Sequence, residues 1–371
     1  MPKVQVAVVA PSLRILGGQA VQADRLLRAW HHDPDVHAWL VPVNPPPPRC
    51  LRFATKVKYL RTIVTELSYL PSLVREISRA DVVHVFSASY ASFLLAPLPA
   101  VLAARALGRP VILNYRSGEA PDHLERSAIA RAVLARVDRN VVPSPFLAGV
   151  FASFGIGATV VPNIVDTLRF RFRLRDHLRP RLLSTRNFDP LYNVGCTLRA
   201  FRVVQDRYPD ASLTLVGAGR EESSLRTLAR ELAVRNVTFT GAVSPDAIAD
   251  VYADHDIYIQ SPNIDNMPTS VLEAYACGLP VVSTEAGGLP AILRHGEHGL
   301  LAPLNDHRTL AMHVLTLLDD SGLSHRVTHA ALKIGEACTW AAVREEWLHV
   351  YHSVLSCSAR TPVAIHGHLA Q

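Results

Sequence analysis

The sequence predicts an α/β protein made of two doubly wound parallel sheets that face each other across a cleft. Three observations carry that expectation. Apolar strand-like runs alternate with amphipathic helical stretches along the chain. The alternation pauses once, at "VVPNIVDTLRFRFRLRDHLRP", and then restarts. At 371 residues the chain is too long for one hydrophobic core of ordinary size. The expected division is 1–165, 166–338, and a closing helix with tail over 339–371.

In the first unit, "VQVAVVA" reads as a buried strand, followed by a Gly17-Gly18 loop and a helix from Ala20 to Trp30. "VHAWLV", "DVVHVFS", "PVILNY" and "RNVVPS" are further strands, and "NPPPP" is a polyproline loop. A basic amphipathic segment runs from about Ala54 to Arg79. In the second unit the strands are "RLLSTR", "SLTLVG", "NVTFTG", "DIYIQS", "PVVSTEAGG" and "GLLAP", with helices at 194–207 and 220–233. "RFRFRLR" (169–175) reads as an extended linker, its arginines in water and Phe170 and Phe172 packed beneath.

Composition narrows the function. Hydrophobic residues are 49% and charged residues 19%, which excludes a disordered chain. The net charge of +6 comes mainly from arginine, which suits phosphate recognition or an anionic surface. Aromatic platforms and known motifs for nucleic acid are missing, so nucleic acid is not expected as a partner. Cys50, Cys196, Cys277, Cys338 and Cys357 are scattered, which argues against a disulfide framework and for a reducing, cytoplasmic setting. The seventeen histidines show no metal-binding spacing, so no metal is expected. The longest apolar stretch, "FLLAPLPAVLAA", is short and holds two prolines, so it should not span a membrane. The basic stretch 49–61 suits a solvated helix face or, less readily, contact of 49–79 with the inner face of an anionic bilayer.

The chemistry concentrates in "SPNIDNMPTSVLEAYACGLPVVST" (261–284), which sets Asp265 and Glu273 eight positions apart. Pro268 fits the first turn of a helix but not its interior, so a helix begins at 268–270 and ends at Gly278. Its start is an anion site suited to a phosphate or diphosphate. Ser270-x-x-Glu273 also matches a capping box, a purely structural role for Glu273. An acid/base pair is disfavoured. Eight helical residues span roughly 12 Å, whereas glycosidase carboxylates sit about 5 to 9.5 Å apart. Gly17 and Gly18 suit either an ordinary turn or close backbone approach to a ligand. Arg186, at the end of "LLSTR", suits either a surface ion pair or a grip on a diphosphate.

These residues closely resemble the donor-binding region of family 4 glycosyltransferases. The match comprises acid-x7-Glu, then A-x-A-x-G-x-P-V-V-x-T, G-G-x-P and H-G-x-x-G-L-L. It extends more weakly to "GG" at 17–18, "VVPNIVD" at 160–166, "STR" at 184–186, "LTLVGAG" at 213–219, and the closing helix with Trp347 and Tyr351. The resemblance implies the GT-B fold: two facing Rossmann-like domains, the first for the acceptor and the second for a nucleotide-sugar donor. It implies that Glu273 holds the ribose and Asp265 lies near the transferred sugar. Asn266, Met267, Pro268, Thr269 and Ser270 would meet sugar and diphosphate. Gly17 and Gly18 would close on the phosphates, and Arg186 would neutralise the leaving group. It further implies retention of configuration, no cofactor, and no metal.

Three departures stand out. The first acid is Asp265 where Glu is common, Tyr192 stands where the family usually has Lys, and Arg116 stands roughly where many members have His. Arg116 or His123 would then supply the missing cation. The expected activity is transfer of a hexose-type sugar to a glycan, lipid-linked or small-molecule acceptor, in surface polysaccharide or glycoconjugate assembly. The alternatives are a nucleotide-sugar epimerase of the same architecture and a degenerate, non-catalytic binder.

Overall fold

The structure, a computed structural model, describes residues 2–15, 17–46 and 58–358. The expected basic stretch 49–61 and the tail after 358 therefore lie wholly or largely outside the described residues, as do two residues of the polyproline loop.

Among the described residues the strands form two six-stranded sheets. The first holds β1 (Val4–Ala10), β2 (Val36–Pro42), β3 (Val82–Ser87), β4 (Val111–Tyr115), β5 (Arg139–Val142) and β6 (Thr159–Val160), in the order β2-β1-β3-β4-β5-β6. The second holds β7 (Arg181–Thr185), β8 (Ser212–Val216), β9 (Val237–Gly241), β10 (Ile257–Ile259), β11 (Val281–Thr284) and β12 (Leu300–Ala302), in the order β12-β11-β10-β7-β8-β9. All the pairings are parallel. This is why the central strands read as unbroken apolar runs: helices cover both faces, and β3 and β4 are buried at every position. The edge strand β9 alternates partial and full exposure instead. The two-residue strand β6 was not expected, because it is too short to carry a periodic signal.

Strand order reverses between β1 and β3 in the first sheet and between β10 and β7 in the second. The carboxyl ends of strands flanking such a reversal form the crevice where α/β sheets bind ligands. Arg186 directly follows β7, and the Asp265 loop follows β10. The expected site thus falls at the reversal in the second sheet.

The last helix, Trp340–Ser358, packs on the first sheet rather than the second. Val343, Trp347, Val350, Tyr351 and Val354 are buried in one cluster with Val6 and Val8 of β1 and Val82 and Phe86 of β3. Trp30 meets Trp340 edge-on at 4.5 Å. Arg344 binds Asp33 at 2.7 Å and Asp35 at 2.6 Å.

One linker expectation fails. Phe170 is buried as expected, but Arg175 is not in water; its side chain is only 4% exposed. Its Nε donates to the His255 carbonyl at 2.9 Å and to Asp256 at 3.1 Å, while Nη1 donates to the carbonyls of Cys277 and Gly278 at 3.0 Å each. Asp256 is itself 1% exposed and needs a cation beside it. The Cys277 and Gly278 carbonyls close the helix Thr269–Ala276, where a cation complements the helix dipole. Burial lowers the Arg175 pKa to about 10, so the group stays charged at neutral pH.

Arg175→Met retains apolar volume but leaves Asp256 with Arg179 as its one arginine, at 3.0 Å, and strips the helix-end carbonyls of the Nη1 donor. It should lower unfolding stability by about 3 kcal/mol, the cost of breaking a buried ion pair. Urea denaturation followed by circular dichroism measures this; an unchanged midpoint would show that Arg175 holds nothing together.

Candidate active site

The site is built where β7 and β10 end. Arg186 Nη2 pairs with Asp265 Oδ2 at 2.6 Å, and Nη1 donates to Ser270 Oγ at 3.1 Å. Its guanidinium lies 4.0 Å from the centroid of the Tyr192 ring. Burial works against this charge, but Asp265 and the surrounding tyrosines Tyr192, Tyr258 and Tyr252 hold the Arg186 pKa above its ordinary value. Tyr192 does not restore the missing charge, since burial raises its own pKa and it remains a neutral phenol. It presents its ring face to Arg186 instead, which is an attractive contact for a guanidinium.

The Asp265 loop is fixed from several directions. Asp265 Oδ1 accepts from the Asn266 N–H at 2.8 Å. A side chain at Gly287, whose φ is 53°, would collide with the Asp265 carbonyl. From the first unit, a Cβ on Gly118 would lie 3.0 Å from the Asp265 carbonyl carbon. Ser144 hydrogen-bonds Asn266 Oδ1, and Asn163 Nδ2 donates to the Met267 carbonyl at 2.6 Å. Both halves of the chain therefore hold this loop.

Beyond it runs the helix Thr269–Ala276, with Pro268 as an extended N-cap that makes no side-chain cap bond. The capping-box reading of Ser270 and Glu273 is thereby corrected. Ser270 lies inside the helix and its hydroxyl is engaged by Arg186. Glu273 reaches across the cleft, its Oε1 pairing with Arg25 Nη2 at 2.5 Å with the two side chains 10% and 11% exposed. The two acids are not a couple: each has its own arginine.

A cavity of about 630 Å³ lies between the sheets. Gly17, Arg186, Thr269, Ser270 and Glu273 line it, together with Arg25 and Gly217. Gly18, Arg116, Asp265, Asn266, Met267 and Pro268 are not in its wall. Gly17 is the extended N-cap of helix Gly18–Trp30, and a side chain on either glycine would meet no atom within 4 Å. Neither glycine is required by the backbone here.

Arg116 lies outside the cavity, its guanidinium 5.2 Å from the Phe86 ring centroid. It ends a buried chain of hydrogen bonds: Arg116 Nη1 donates to Asn114 Oδ1 at 3.2 Å, and Asn114 Nδ2 to His84 Nε2 at 3.0 Å. With Nε2 accepting, the His84 proton is on Nδ1, 3.0 Å from the Tyr351 hydroxyl of the last helix. Burial lowers the Arg116 pKa to about 9, which leaves it cationic. His123 does not serve as the alternative cation: it is buried, bonded to the Tyr115 hydroxyl at 2.8 Å, and burial lowers its pKa.

Sequence reading missed Arg25, Gln22 and Gly118. Nothing local marks them, because their partners lie 248, 247 and 147 positions away. The available signal was Gln22 and Arg25 at i and i+3 beside the apolar residues of one helix, polar groups where a core face would be unbroken. Among the described residues no group of three metal-ligating side chains is assembled, and no helix is long and apolar enough to cross a membrane.

A family model of group 1 glycosyl transferases matches residues 167–334, and one of Glycosyltransferase Family 4 matches residues 4–169. The sulfoquinovosyl transferase of Arabidopsis thaliana is 26% identical over 310 residues, covering 76% of this chain and 59% of that protein. A phosphatidyl-myo-inositol mannosyltransferase of Mycobacterium leprae is 30% identical over 221 residues, covering 57% of this chain and 58% of that protein. The chain thus spans under two thirds of the length of these relatives. The Anabaena protein HepE, solved with UDP-glucose, superposes with a TM-score of 0.72 at 15% identity over 94% of this chain and 99% of its own. A sucrose-phosphate synthase from Thermosynechococcus elongatus superposes with a TM-score of 0.71 at 17% identity, over 96% and 100%. At these identities the structures speak for the fold, and the fold is GT-B.

The chain behind Arg116 has a pH signature. Burial, with Arg116 nearby, lowers the His84 pKa from 6.5 to about 3. The unfolded state therefore binds a proton that the folded state refuses. This contribution is fully present above pH 6.5 and is lost as pH falls toward 3. His123, His255, His298 and His313, also lowered by burial, act in the same direction. His84→Gln can keep both hydrogen bonds without titrating, so its urea midpoint should fall less steeply than the wild type's between pH 6.5 and 4. Parallel slopes would show that His84 does not titrate on unfolding.

Proposed function

This chain belongs to the family 4 glycosyltransferases, and from that premise we propose that it transfers a hexose-type sugar from a nucleotide diphosphate sugar to a hydroxyl acceptor, retaining configuration. The observation that carries the reading is the arginine at the strand reversal: Arg186 and the helix start at Thr269 and Ser270 on one cavity, with Asp265, outside the cavity wall, paired to Arg186. A leaving diphosphate needs positive charge where its own negative charge develops. Arg186 and the first turn of helix Thr269–Ala276 supply it, so the reading assigns that task to no metal.

Donor binding then becomes an exchange of partners. Without donor, Arg186 is neutralised by Asp265. A diphosphate takes over the guanidinium, which frees Asp265 Oδ2 to accept from a sugar hydroxyl brought up to it while Oδ1 stays on the Asn266 N–H. Glu273, about one turn further along the helix, takes the ribose. Asn266, Met267 and Pro268 act through the backbone that Asn163 and Ser144 hold in place. Gly17 faces the cavity from the first unit, where an unhindered backbone suits close approach to phosphate. On this reading 166–338 binds the donor and 1–165 the acceptor, with Arg116 on the acceptor side. The acceptor class proposed is a glycan, a lipid-linked intermediate or a small molecule.

A thermal-shift screen of nucleotide sugars tests the donor site. A ligand at a hundred times its Kd should add about 2.7 kcal/mol to stability. Arg186→Ala should abolish the shift. A panel of nucleotide sugars that all leave the melting point unchanged would end the reading.

Tyr192 gives a finer test. Tyr192→Phe keeps the ring beneath Arg186 and should bind the donor within about twofold of the wild type. Tyr192→Ala removes an interaction of about 1 kcal/mol, roughly fivefold in affinity. Equal affinities for the two variants would show that the ring does not hold Arg186 for the donor.

A further inference from the structure

Arg25 has a role that neither the expected motif nor its surroundings in sequence assign. It sits on helix Gly18–Trp30 of the first unit, yet its guanidinium reaches the Glu273 carboxylate of the second at 2.5 Å. Two other groups fix it. Nη1 donates to the Ile164 carbonyl at 2.9 Å, and the Phe170 ring centroid lies 5.4 Å away. The Ile164 peptide is in turn clamped from both sides by Gln22, whose Nε2 donates to its carbonyl and whose Oε1 accepts from its N–H, each at 2.8 Å. Gln22 Nε2 also donates to Thr269 Oγ1 at 3.2 Å. Gln22 and Arg25, three residues apart on one helix, thus address Thr269 and Glu273, four residues apart on another.

Resting on the donor reading above, we propose that Arg25 is the positioning residue for ribose recognition, holding the Glu273 carboxylate for the ribose diol and doing so only when the two sheets are together. A ribose diol is recognised by two hydroxyls donating to one carboxylate. That requires a charged carboxylate in one fixed orientation. Glu273 is 7% exposed, and a carboxylate so far out of water needs a countercharge beside it. Arg25 supplies that charge at Oε1. Its remaining supports, Ile164 and Phe170, belong to the linker rather than to the helix that meets the ligand. The guanidinium therefore keeps its place when the cavity fills, and it is not a plug that the ribose must displace. Because Arg25 and Glu273 stand on opposite sides of the cleft, an open cleft leaves the ribose anchor unset. Recognition of the nucleoside and closure of the sheets are then one event.

The test is a cycle of protein and ligand changes, which separates a specific coupling from general damage. Uridine, guanosine and adenosine diphosphates are titrated by calorimetry, and the tightest is compared with its 2′,3′-dideoxy counterpart. The wild type should favour the ribose form about tenfold or more, the worth of hydrogen bonds to a charged group. Arg25→Ala should weaken the ribose form about tenfold and leave the dideoxy affinity unchanged, so discrimination collapses. Arg25→Lys, which returns the charge without the fork, should recover part of it. Glu273→Ala should also collapse discrimination.

Equal weakening of both ligands by Arg25→Ala would make Arg25 merely structural and overturn the proposal. Tighter ribose binding in that variant would make it a competitor and overturn it too. If Glu273→Ala kept full discrimination, the ribose role of Glu273 would itself be wrong and the proposal would fall with it. If none of the diphosphates bound the wild type, the donor reading would have failed.

Discussion

Two carboxylates sit at the cleft with side chains only 13% and 10% exposed, and burying a charge without a partner is costly. Asp265 takes Arg186, one strand away in the same sheet, and Glu273 takes Arg25, from the other sheet. Much of the site follows from this requirement. Arg186 is held in place by Ser270 and by the face of Tyr192. Arg25 is held by the Ile164 carbonyl and the Phe170 ring. The segment between the two units is therefore part of the site's charge compensation as well as a connection.

The same linker carries a second compensation beneath the site. Arg175 satisfies Asp256 and the carbonyls that end helix Thr269–Ala276. That helix is thus tied at both ends to residues far from it in sequence: Gln22 of the other unit and Arg186 near its start, Arg175 at its close. The last helix of the chain adds the converse tie. It packs on the first sheet, and its Tyr351 continues the buried hydrogen-bond chain that ends at Arg116. Positions that meet in the cleft are fixed by groups distant in sequence.

This explains which parts could be read from the sequence alone. The strands could, since parallel strands covered on both faces are apolar throughout, and only the two-residue β6 escaped. The helix start could, since Pro268 is compatible with a first turn and little else there. The family resemblance supplied Arg186, Asp265 and Glu273 from spacing, and the structure brings Arg186 to Asp265 and Ser270. Local reasoning failed where a long-range partner outbid a near one. The capping box is a sound local inference, but Arg186 takes the Ser270 hydroxyl and Arg25 takes Glu273. The linker arginines look alike in sequence, yet Arg175 is buried because Asp256 lies beneath it. Arg25 itself is one polar residue on an amphipathic helix until the other sheet is in place.

Asp265, the shorter acid where a glutamate is common, makes sense in the same terms. Its Oδ1 is held by the next residue's own N–H, and its Oδ2 by Arg186. Its backbone lies against Gly118 and Gly287, and its carbonyl accepts from the Gly288 N–H at 3.1 Å. A carboxylate on a short stem, tied to its own loop, has little freedom to follow a ligand. A glutamate at this position would need its carboxylate about one methylene further out, away from the Asn266 N–H that now fixes it. The consequence for the proposed reaction is geometric. The sugar must come to the acid rather than the acid to the sugar, so the hydroxyl pattern a donor presents at that one point decides whether Asp265 can exchange Arg186 for it.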